Sequence, residues 1–334
     1  MSDISYLQAG VIGLLQGASE LFPVSSLGHS VLVPALIGGS WQHLVTESAS
    51  KTSETSPYLA FIVALHVATA LALVIFFRSD WVRLIRGFAQ TVRTRRVETS
   101  EQRLAWLIIV ATIPVGITGL ALEHTFRTLF AKPLAAAIFL TINGAILLGG
   151  EALRRRAEQR AQAVADAPTV ALPVGTPGRP GNAQHHTSPA GPTTGAGGGL
   201  VVAEHRTLDG LAYREAGVIG LFQTLALFAG ISRSGITMVA GLLRGLDHED
   251  AARFSFLLAT PVILAAGLLK LPSLAGHPGD GIRGQVVFGA LVAGVAAYLT
   301  IRFLVRYFET RTLTPFAVYC LAAGGLCTLR FAIG

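Results

Sequence analysis

The chain has 334 residues, of which 51% are hydrophobic and only 13% are charged. Soluble domains carry roughly 25% charged residues, so this composition excludes a soluble protein and indicates an integral membrane protein. The formal net charge is +7. Its arginines lie in short blocks between apolar runs, however, which is how membrane topology is encoded and argues against nucleic acid as a partner.

The first apolar run covers residues 4–39 and is too long for one simple membrane span. Pro23 interrupts this run, and a proline inside a helix removes a backbone hydrogen bond and breaks or kinks the helix. We therefore predict two half-helices that meet at a polar turn, residues 23–26, and form a re-entrant pair. Residues 40–56 are rich in Ser and Thr and predict a polar loop.

Three apolar runs follow, at about residues 57–77, 104–122 and 133–150, each close to the roughly 20 residues that a bilayer-spanning helix needs. The loop between the first two, residues 78–103, contains seven arginines and only three acidic residues. Cytoplasmic loops carry an excess of Lys and Arg, so we predict that this loop is cytoplasmic.

The composition changes sharply after residue 150, where a block of arginines leads into a tract rich in Pro, Gly, Ala and Thr. Such a tract cannot bury enough apolar surface to fold, so residues 151–206 predict a disordered cytoplasmic linker. This linker divides the chain into a first half, residues 1–150, and a second half, residues 207–334.

The second half begins by repeating the start of the first. Residues 216–237 align without a gap with residues 9–30, and nine of the 22 positions are identical, which indicates an internal duplication. Further spans are predicted at about residues 252–271, 284–304 and 314–332. Because the first half crosses the membrane three times, the second half begins on the opposite side and is inverted relative to the first. The predicted fold class is therefore all-α and membrane-embedded, with six transmembrane helices and two broken re-entrant helix pairs in an inverted-topology repeat.

The two copies of the repeat differ in their charges. Glu20 is the only formally charged residue of the first copy and aligns with Leu227, whereas Arg233 is the only one of the second copy and aligns with Ser26. A charge in hydrocarbon costs several kcal/mol, so each must face a protein cavity or a partner. An ion pair between them is the structural explanation, and a functional site is the alternative that intramembrane charges favour.

The first copy offers groups for a cation and for an anion. Gln16 and Glu20 are four residues apart and share one helical face, where an amide oxygen and a carboxylate suit a hard divalent cation. Free backbone N–H groups at the start of the next half-helix favour an anion. The residues that would bind it there are Ser25, Ser26, Gly28 and His29.

The second copy breaks at Ala229 and Gly230 and adds an arginine. The planar guanidinium of Arg233 suits bidentate binding of phosphate oxygens. Close helix packing explains small residues in a membrane protein, but it does not explain an arginine between two serines. The hydroxyl groups that we predict to bind phosphate beside Arg233 are those of Ser232, Ser234 and Thr237.

Three motifs together resemble the undecaprenyl-diphosphatase, or bacitracin-resistance, family of bacterial membrane enzymes. They are Gln16-x-x-x-Glu20, Pro-x-Ser-Ser-x-Gly-His ending at His29, and Gly-x-Ser-Arg-Ser-x-x-Thr ending at Thr237. The resemblance also includes residues 253–258 and 314–319. The chain departs from the family pattern at Ala229, where the family usually has proline, and its first motif begins with Gln16, which weakens a mechanism that needs two carboxylates.

The resemblance implies hydrolysis of a polyprenyl diphosphate lipid, undecaprenyl diphosphate, to the monophosphate carrier used in cell-wall synthesis, and hence bacitracin resistance. It implies a divalent cation, Mg²⁺ or Ca²⁺, and a site that faces the periplasmic side of the bacterial inner membrane. We expect Glu20 with Gln16 to hold the cation and Arg233 to bind phosphate. Either Ser26 attacks phosphorus with His29 as base, or His29 activates water or attacks directly.

Two rival functions and the oligomeric state stay open. A transporter or flippase of a polyprenyl phosphate lipid would also use broken helices in an inverted repeat. A second class of lipid phosphatase has a Ser-Gly-His and Ser-Arg pattern, but the histidine that it needs after Arg233 comes only at His248. The residues do not decide between a monomer and a homodimer. His66 either lines the cavity or, as is commoner for one histidine in an apolar helix, is a hydrogen-bonded core residue, and Asn143 is interpreted as forming hydrogen bonds between helices.

Overall fold

The structure, a computed structural model, describes residues 4–50, 57–121, 132–166, 207–275 and 281–333. The regular elements in these ranges are all helical. In the first half they are α1 (Tyr6–Ser19), α2 (Ser26–Ile37), α3 (Gly39–Ser50), α4 (Pro57–Phe76), α5 (Arg78–Thr94), α6 (Ser100–Ala121) and α7 (Pro133–Ala165). In the second half they are α8 (Tyr213–Gln223), α9 (Arg233–Leu242), α10 (His248–Ala275), α11 (Arg283–Phe308) and α12 (Thr314–Ile333), with short 3-10 helices at Leu208–Gly210 and Thr224–Leu227.

Five helices, namely α6, α7, α10, α11 and α12, are long and apolar enough to cross a membrane. Helices α4 and α5 together make a sixth candidate, bent by 84° at their junction. Each of the six predicted spans thus falls on a helix of the structure, so the all-α, multi-pass membrane class is confirmed for the described residues.

Both predicted helix breaks are present. The first separates α1 from α2, and Ser25 at its end has a φ of 68°, a left-handed value that is uncommon for any residue except glycine. The second separates α8 from α9 and contains Gly230 with a φ of +111°. A Cβ atom at Gly230 would also collide with the carbonyl oxygen of Ala136 in α7. Gly230 alone therefore allows this break, in the absence of a proline at position 229.

The first helix of each half packs through glycines against a long helix of the other half. A Cβ atom on Gly13 or Gly17 of α1 would collide with backbone carbonyls of α11, and one on Gly220 of α8 would collide with the carbonyl of Ala111 in α6. Gly13 and Gly220 occupy aligned positions of the repeat. The halves therefore use equivalent contacts, while their inverted orientation in the membrane stays a prediction.

Three regions differ from the sequence-based expectation. Residues 40–50 of the predicted loop 40–56 belong to α3, and much of the arginine-rich loop forms α5. Helix α5 is amphipathic: it buries Leu84, Gly87 and Thr91 and exposes its arginines. The many arginines made the helical spacing of its buried residues difficult to recognise in the sequence. Helix α7 continues to Ala165, past residue 150 where the linker was expected to begin. Residues 167–206, the remaining part of that linker before the second half, lie outside the described residues.

Candidate active site

The carboxylate of Glu20 connects the two helix breaks. Glu20 follows the last residue of α1 and is buried. Its Oε2 accepts hydrogen bonds from Gln16 Nε2, at 3.0 Å, and from the Ser26 hydroxyl. Its Oε1 lies 2.5 Å from Nη2 of Arg233, the first residue of α9. The residues that carry opposite charges in the two copies of the repeat thus form a buried ion pair.

This ion pair leaves the guanidinium of Arg233 incompletely satisfied. Within the described chain, the buried Nη1 has no hydrogen-bond partner. A buried donor without a partner costs about 1–3 kcal/mol. Arginine binds phosphate most strongly when two of its N–H groups contact two phosphate oxygens. Within the described residues, Nη1 is therefore a donor that an additional anionic group would satisfy.

Both ring nitrogens of His29 form hydrogen bonds with groups other than the Ser26 hydroxyl. Its Nδ1 lies 2.7 Å from the carbonyl oxygen of Ser25, so this nitrogen carries a hydrogen and donates it. Its Nε2 lies 2.7 Å from the hydroxyl of Tyr319 in α12, which donates to it when the ring is neutral. The Ser26 hydroxyl donates to Glu20 instead. In the structure the hydrogen-bond partner of the Ser26 hydroxyl is therefore Glu20, and not His29, the base that the sequence analysis named.

Three residues at the site were not among the predicted functional residues. His66 of α4 has Nε2 at 3.3 Å from Glu20 Oε2, although its sequence context indicates a core residue. Tyr319 entered the sequence analysis only as part of the family resemblance. Asn143 of α7 was expected to hydrogen-bond to another helix, and it does so with Cys320 of α12, but it also binds both breaks. A polar side chain in an otherwise apolar helix was the only sequence signal for His66 and Asn143.

Asn143 and Ser25 hold the two breaks together. Asn143 Nδ2 donates to the carbonyl of Pro23 at 3.0 Å, and its Oδ1 accepts from the backbone N–H of Ser232 at 2.9 Å. Ser25 Oγ accepts from the backbone N–H groups of Gly28, at 3.2 Å, and Gly230, at 3.1 Å. These bonds fix the position of Arg233 relative to Glu20, because Asn143 links both breaks to α7 and Ser25 links the first break to α2 and to the second break.

The hydroxyl groups predicted to bind phosphate in the second copy make bonds around the first turn of α9. Ser232 Oγ accepts from Gly235 N–H at 3.1 Å and lies 3.0 Å from Ser234 Oγ. Thr237 Oγ1 donates to the Arg233 carbonyl at 2.7 Å and lies 2.6 Å from Ser255 Oγ of α10. All three hydroxyls therefore support the helix that carries Arg233, and their contact with phosphate stays a prediction.

A cation at this site would have to use few protein ligands. In the part of the chain that the structure describes, there is no group of three or more His, Cys, Asp or Glu side chains suited to a metal. The predicted pair is nevertheless together, and Gln16 Oε1 is a buried acceptor without a partner. An amide oxygen and a carboxylate fit a divalent cation that keeps waters or binds phosphate, so the residues fit the predicted cofactor.

The aligned residue of the second copy, Gln223, has different surroundings. It is completely buried, and neither its Nε2 nor its Oε1 has a hydrogen-bond partner among the described residues. The residue four positions later is Leu227 rather than an acid. The pair predicted to bind a cation, an amide and a carboxylate four residues apart, is therefore confined to the first break.

Comparison with known proteins places the chain in a family. The family model described as "Bacitracin resistance protein BacA" matches residues 9–176 and 183–326. A protein of Frankia alni named undecaprenyl-diphosphatase 2 is 75% identical over the full length of both chains. The undecaprenyl-diphosphatase of Mycolicibacterium paratuberculosis is 54% identical over 99% of each chain. The undecaprenyl-diphosphatase 2 of Chromobacterium violaceum is 40% identical over 95% of this chain and 96% of its own.

These matches extend over both halves and include the helix breaks that form the site, in agreement with the resemblance of the three motifs. The chain belongs to the bacitracin resistance protein family, BacA.

Proposed function

We propose that the protein hydrolyses undecaprenyl diphosphate to undecaprenyl phosphate and inorganic phosphate at the site between the two helix breaks. The observation that carries this proposal is the buried, unpartnered Nη1 of Arg233, close to a serine hydroxyl that already donates to a carboxylate. Phosphoryl transfer requires a positively charged group that binds phosphate, here the guanidinium of Arg233, beside an activated nucleophile, here the hydroxyl of Ser26. The full-length relatives, all named undecaprenyl-diphosphatases, support the choice of substrate.

Phosphate binding would begin at Arg233 and the two helix N-termini. Helix α2 begins at Ser26 and α9 begins at Arg233, so both direct the positive ends of their dipoles toward the site. When Arg233 turns toward phosphate oxygens, its hold on Glu20 Oε1 weakens. Substrate binding thereby frees the carboxylate to act as a base.

Ser26 is the nucleophile in this mechanism and Glu20 is its base. Glu20 Oε2 takes the hydroxyl proton as Ser26 Oγ attacks the terminal phosphorus, and the bond from phosphorus to the bridging oxygen breaks. Undecaprenyl phosphate leaves with both electrons of that bond and takes the proton from Glu20, which restores the carboxylate, and Ser26 carries the phosphoryl group. Water then attacks this phosphorus, gives a proton to Glu20 and releases inorganic phosphate, and the proton returns to Ser26.

A divalent cation, which we predicted as Mg²⁺ or Ca²⁺, would be held by Glu20 and Gln16 and would neutralise charge on the diphosphate. The polyprenyl tail would lie between the apolar helices. We further propose that the site faces the periplasm from the bacterial inner membrane, where this reaction recycles the lipid carrier of cell-wall synthesis and gives resistance to bacitracin. A homodimer stays a prediction. The names of the relatives do not favour the rival function, a lipid transporter.

Phosphate release from undecaprenyl diphosphate by the purified protein in detergent micelles tests the proposal, because transport is impossible there. We expect turnover by the wild type and its loss in Glu20→Ala and Arg233→Ala, which remove the base and the phosphate-binding group. Matched controls are Arg83→Ala and Glu98→Ala, which remove half-exposed or exposed charges of the α5 region and should retain activity. Near-normal turnover in Glu20→Ala or Arg233→Ala, or none in the wild type, would contradict the proposal.

A further inference from the structure

His66 lies in α4 and faces the oxygen of Glu20 that also binds Ser26 and Gln16. Its Nδ1 lies 2.9 Å from the carbonyl oxygen of Ile62, one helical turn earlier. A carbonyl can only accept a hydrogen bond, so Nδ1 carries the hydrogen, and in the neutral ring Nε2 presents a lone pair. That lone pair points at Glu20 Oε2, 3.3 Å away, which is also an acceptor. Two acceptors that face each other require a positive charge between them.

Gln16 can bring a third acceptor to the same place. Gln16 Oε1 is buried and has no partner among the described residues, while the Nε2 of the same amide donates to Glu20 Oε2 at 3.0 Å. Rotation of the amide about its last torsion exchanges its oxygen and nitrogen and leaves the backbone unchanged. The amide oxygen then takes the position that Gln16 Nε2 holds now, next to Glu20 Oε2. Three acceptor atoms from two helices, on Gln16, Glu20 and His66, can then surround one cation.

We propose that His66 is a protein ligand of the divalent cation, through Nε2, together with Glu20 and Gln16. The inference rests on the proposed function for the location of the cation. A histidine that binds a metal almost always donates its other ring N–H to a carbonyl or carboxylate, as Nδ1 does to Ile62. The remaining coordination positions are left to water and phosphate oxygens, as is usual for a cation that takes part in phosphoryl transfer.

A nitrogen ligand changes which cation binds best. Carboxylate, amide and water oxygens alone suit Mg²⁺ and Ca²⁺, whereas an imidazole favours transition metals. With His66 in the ligand set, Mn²⁺ binds more tightly than Mg²⁺ or Ca²⁺, which revises the cofactor expected from Gln16 and Glu20 alone.

Binding of Mn²⁺ to the purified full-length protein, followed by electron paramagnetic resonance without substrate, tests this inference. We expect His66→Leu to weaken Mn²⁺ binding at least about tenfold, since even the loss of an outer-shell partner costs that much. His66→Gln replaces the nitrogen by an oxygen, so it should keep Mg²⁺ binding, bind Mn²⁺ less tightly and lose the nitrogen coupling in the spectrum of bound Mn²⁺. Thr69→Val, on the same helix, removes a hydroxyl that bonds locally to Leu65 and serves as the control.

Equal Mn²⁺ affinity in the wild type and His66→Leu, or no nitrogen coupling in the wild type, would overturn the inference and indicate that a proton occupies the position between His66 and Glu20. If His66→Leu does not fold, the spectrum of His66→Gln decides the question. Phosphate release is measured on the same preparations. If the wild type releases phosphate but does not bind Mn²⁺, only the assignment of His66 as a cation ligand is overturned. If it binds Mn²⁺ but releases no phosphate, only the proposed function is overturned.

Discussion

The two helix breaks have the same origin in sequence and different chemistry. Both follow a helix that carries a glutamine at the same position of the repeat, Gln16 in α1 or Gln223 in α8. Gln16 binds Glu20, whereas Gln223 is buried and neither of its polar atoms has a partner among the described residues. In the proposed mechanism the first break supplies the base and the nucleophile, and the second supplies the arginine. Two turns that share their origin in sequence would then form one site that needs both.

The two breaks also solve the same backbone problem in different ways. The second uses Gly230, which has no Cβ atom to oppose its positive φ. The first uses Ser25 at a φ of 68°, a conformation that costs a non-glycine residue of order 1–3 kcal/mol. The hydroxyl of Ser25 offsets this cost because it accepts from two backbone N–H groups, one in α2 and one in the second break. The strained residue is therefore the one that ties the breaks together.

Removal of the acid from the first break should have the largest effect. Glu20→Gln keeps the size of the side chain but removes the base and the partner of Arg233, so we expect kcat to fall by about 10³-fold or more. The unpaired Arg233 should lower the free energy of unfolding by about 3–5 kcal/mol. Phosphate release and thermal unfolding in detergent measure the two effects. The aligned substitution in the second break, Leu227→Ala, should leave turnover close to wild type.

A loss of less than tenfold in Glu20→Gln would contradict the assignment of the base to the first break. A loss in Leu227→Ala as large as that in Glu20→Gln would show that the breaks do not differ in this role.

Within the first break, Ser26 should matter more than His29. Ser26→Ala removes the proposed nucleophile and should reduce kcat by about 10³-fold or more. His29→Ala leaves the bond from Ser26 to Glu20 intact, so we expect a loss of about 10–10²-fold. Tyr319→Phe removes only the hydroxyl that binds His29 Nε2 and should lose less than His29→Ala. Equal losses in Ser26→Ala and His29→Ala would favour His29 as the base.

The connection between the breaks should contribute mainly to stability. Asn143→Leu leaves the Pro23 carbonyl and the Ser232 N–H buried without this partner, so we expect the free energy of unfolding to fall by about 1–3 kcal/mol for each orphaned group. Thermal unfolding measures this loss. Thr141→Val on the same helix removes a hydroxyl that bonds only locally to Ala137, and it should unfold near the wild-type temperature. An unchanged midpoint in Asn143→Leu would contradict the role of Asn143.

The local features that the sequence predicted correctly are those with a short-range cause. Pro23 and Gly230 mark the breaks because each restricts or frees its own backbone, and the spacing of Gln16 and Glu20 places both on one turn of helix. The contacts of His66, Asn143 and Tyr319 depend on how distant helices pack, and a single polar residue in an apolar helix does not indicate its partner. Helix α5 was missed because its arginines indicated topology, while its buried face consists of only a few small and apolar residues.

The smallest effect should come from the glutamine of the second break, and it tests whether that break has lost its ligand. Gln223→Leu replaces two buried, unpaired polar atoms by an apolar group, so we expect unchanged turnover and a gain in stability of up to about 1 kcal/mol. Gln16→Leu removes a hydrogen bond to Glu20 and a cation ligand, so it should lower both stability and cation binding. If Gln223→Leu lowers stability and cation binding as Gln16→Leu does, the two breaks are functionally equivalent at this position. Gln223 would then bind a ligand that the proposed site, which uses only Gln16, does not require.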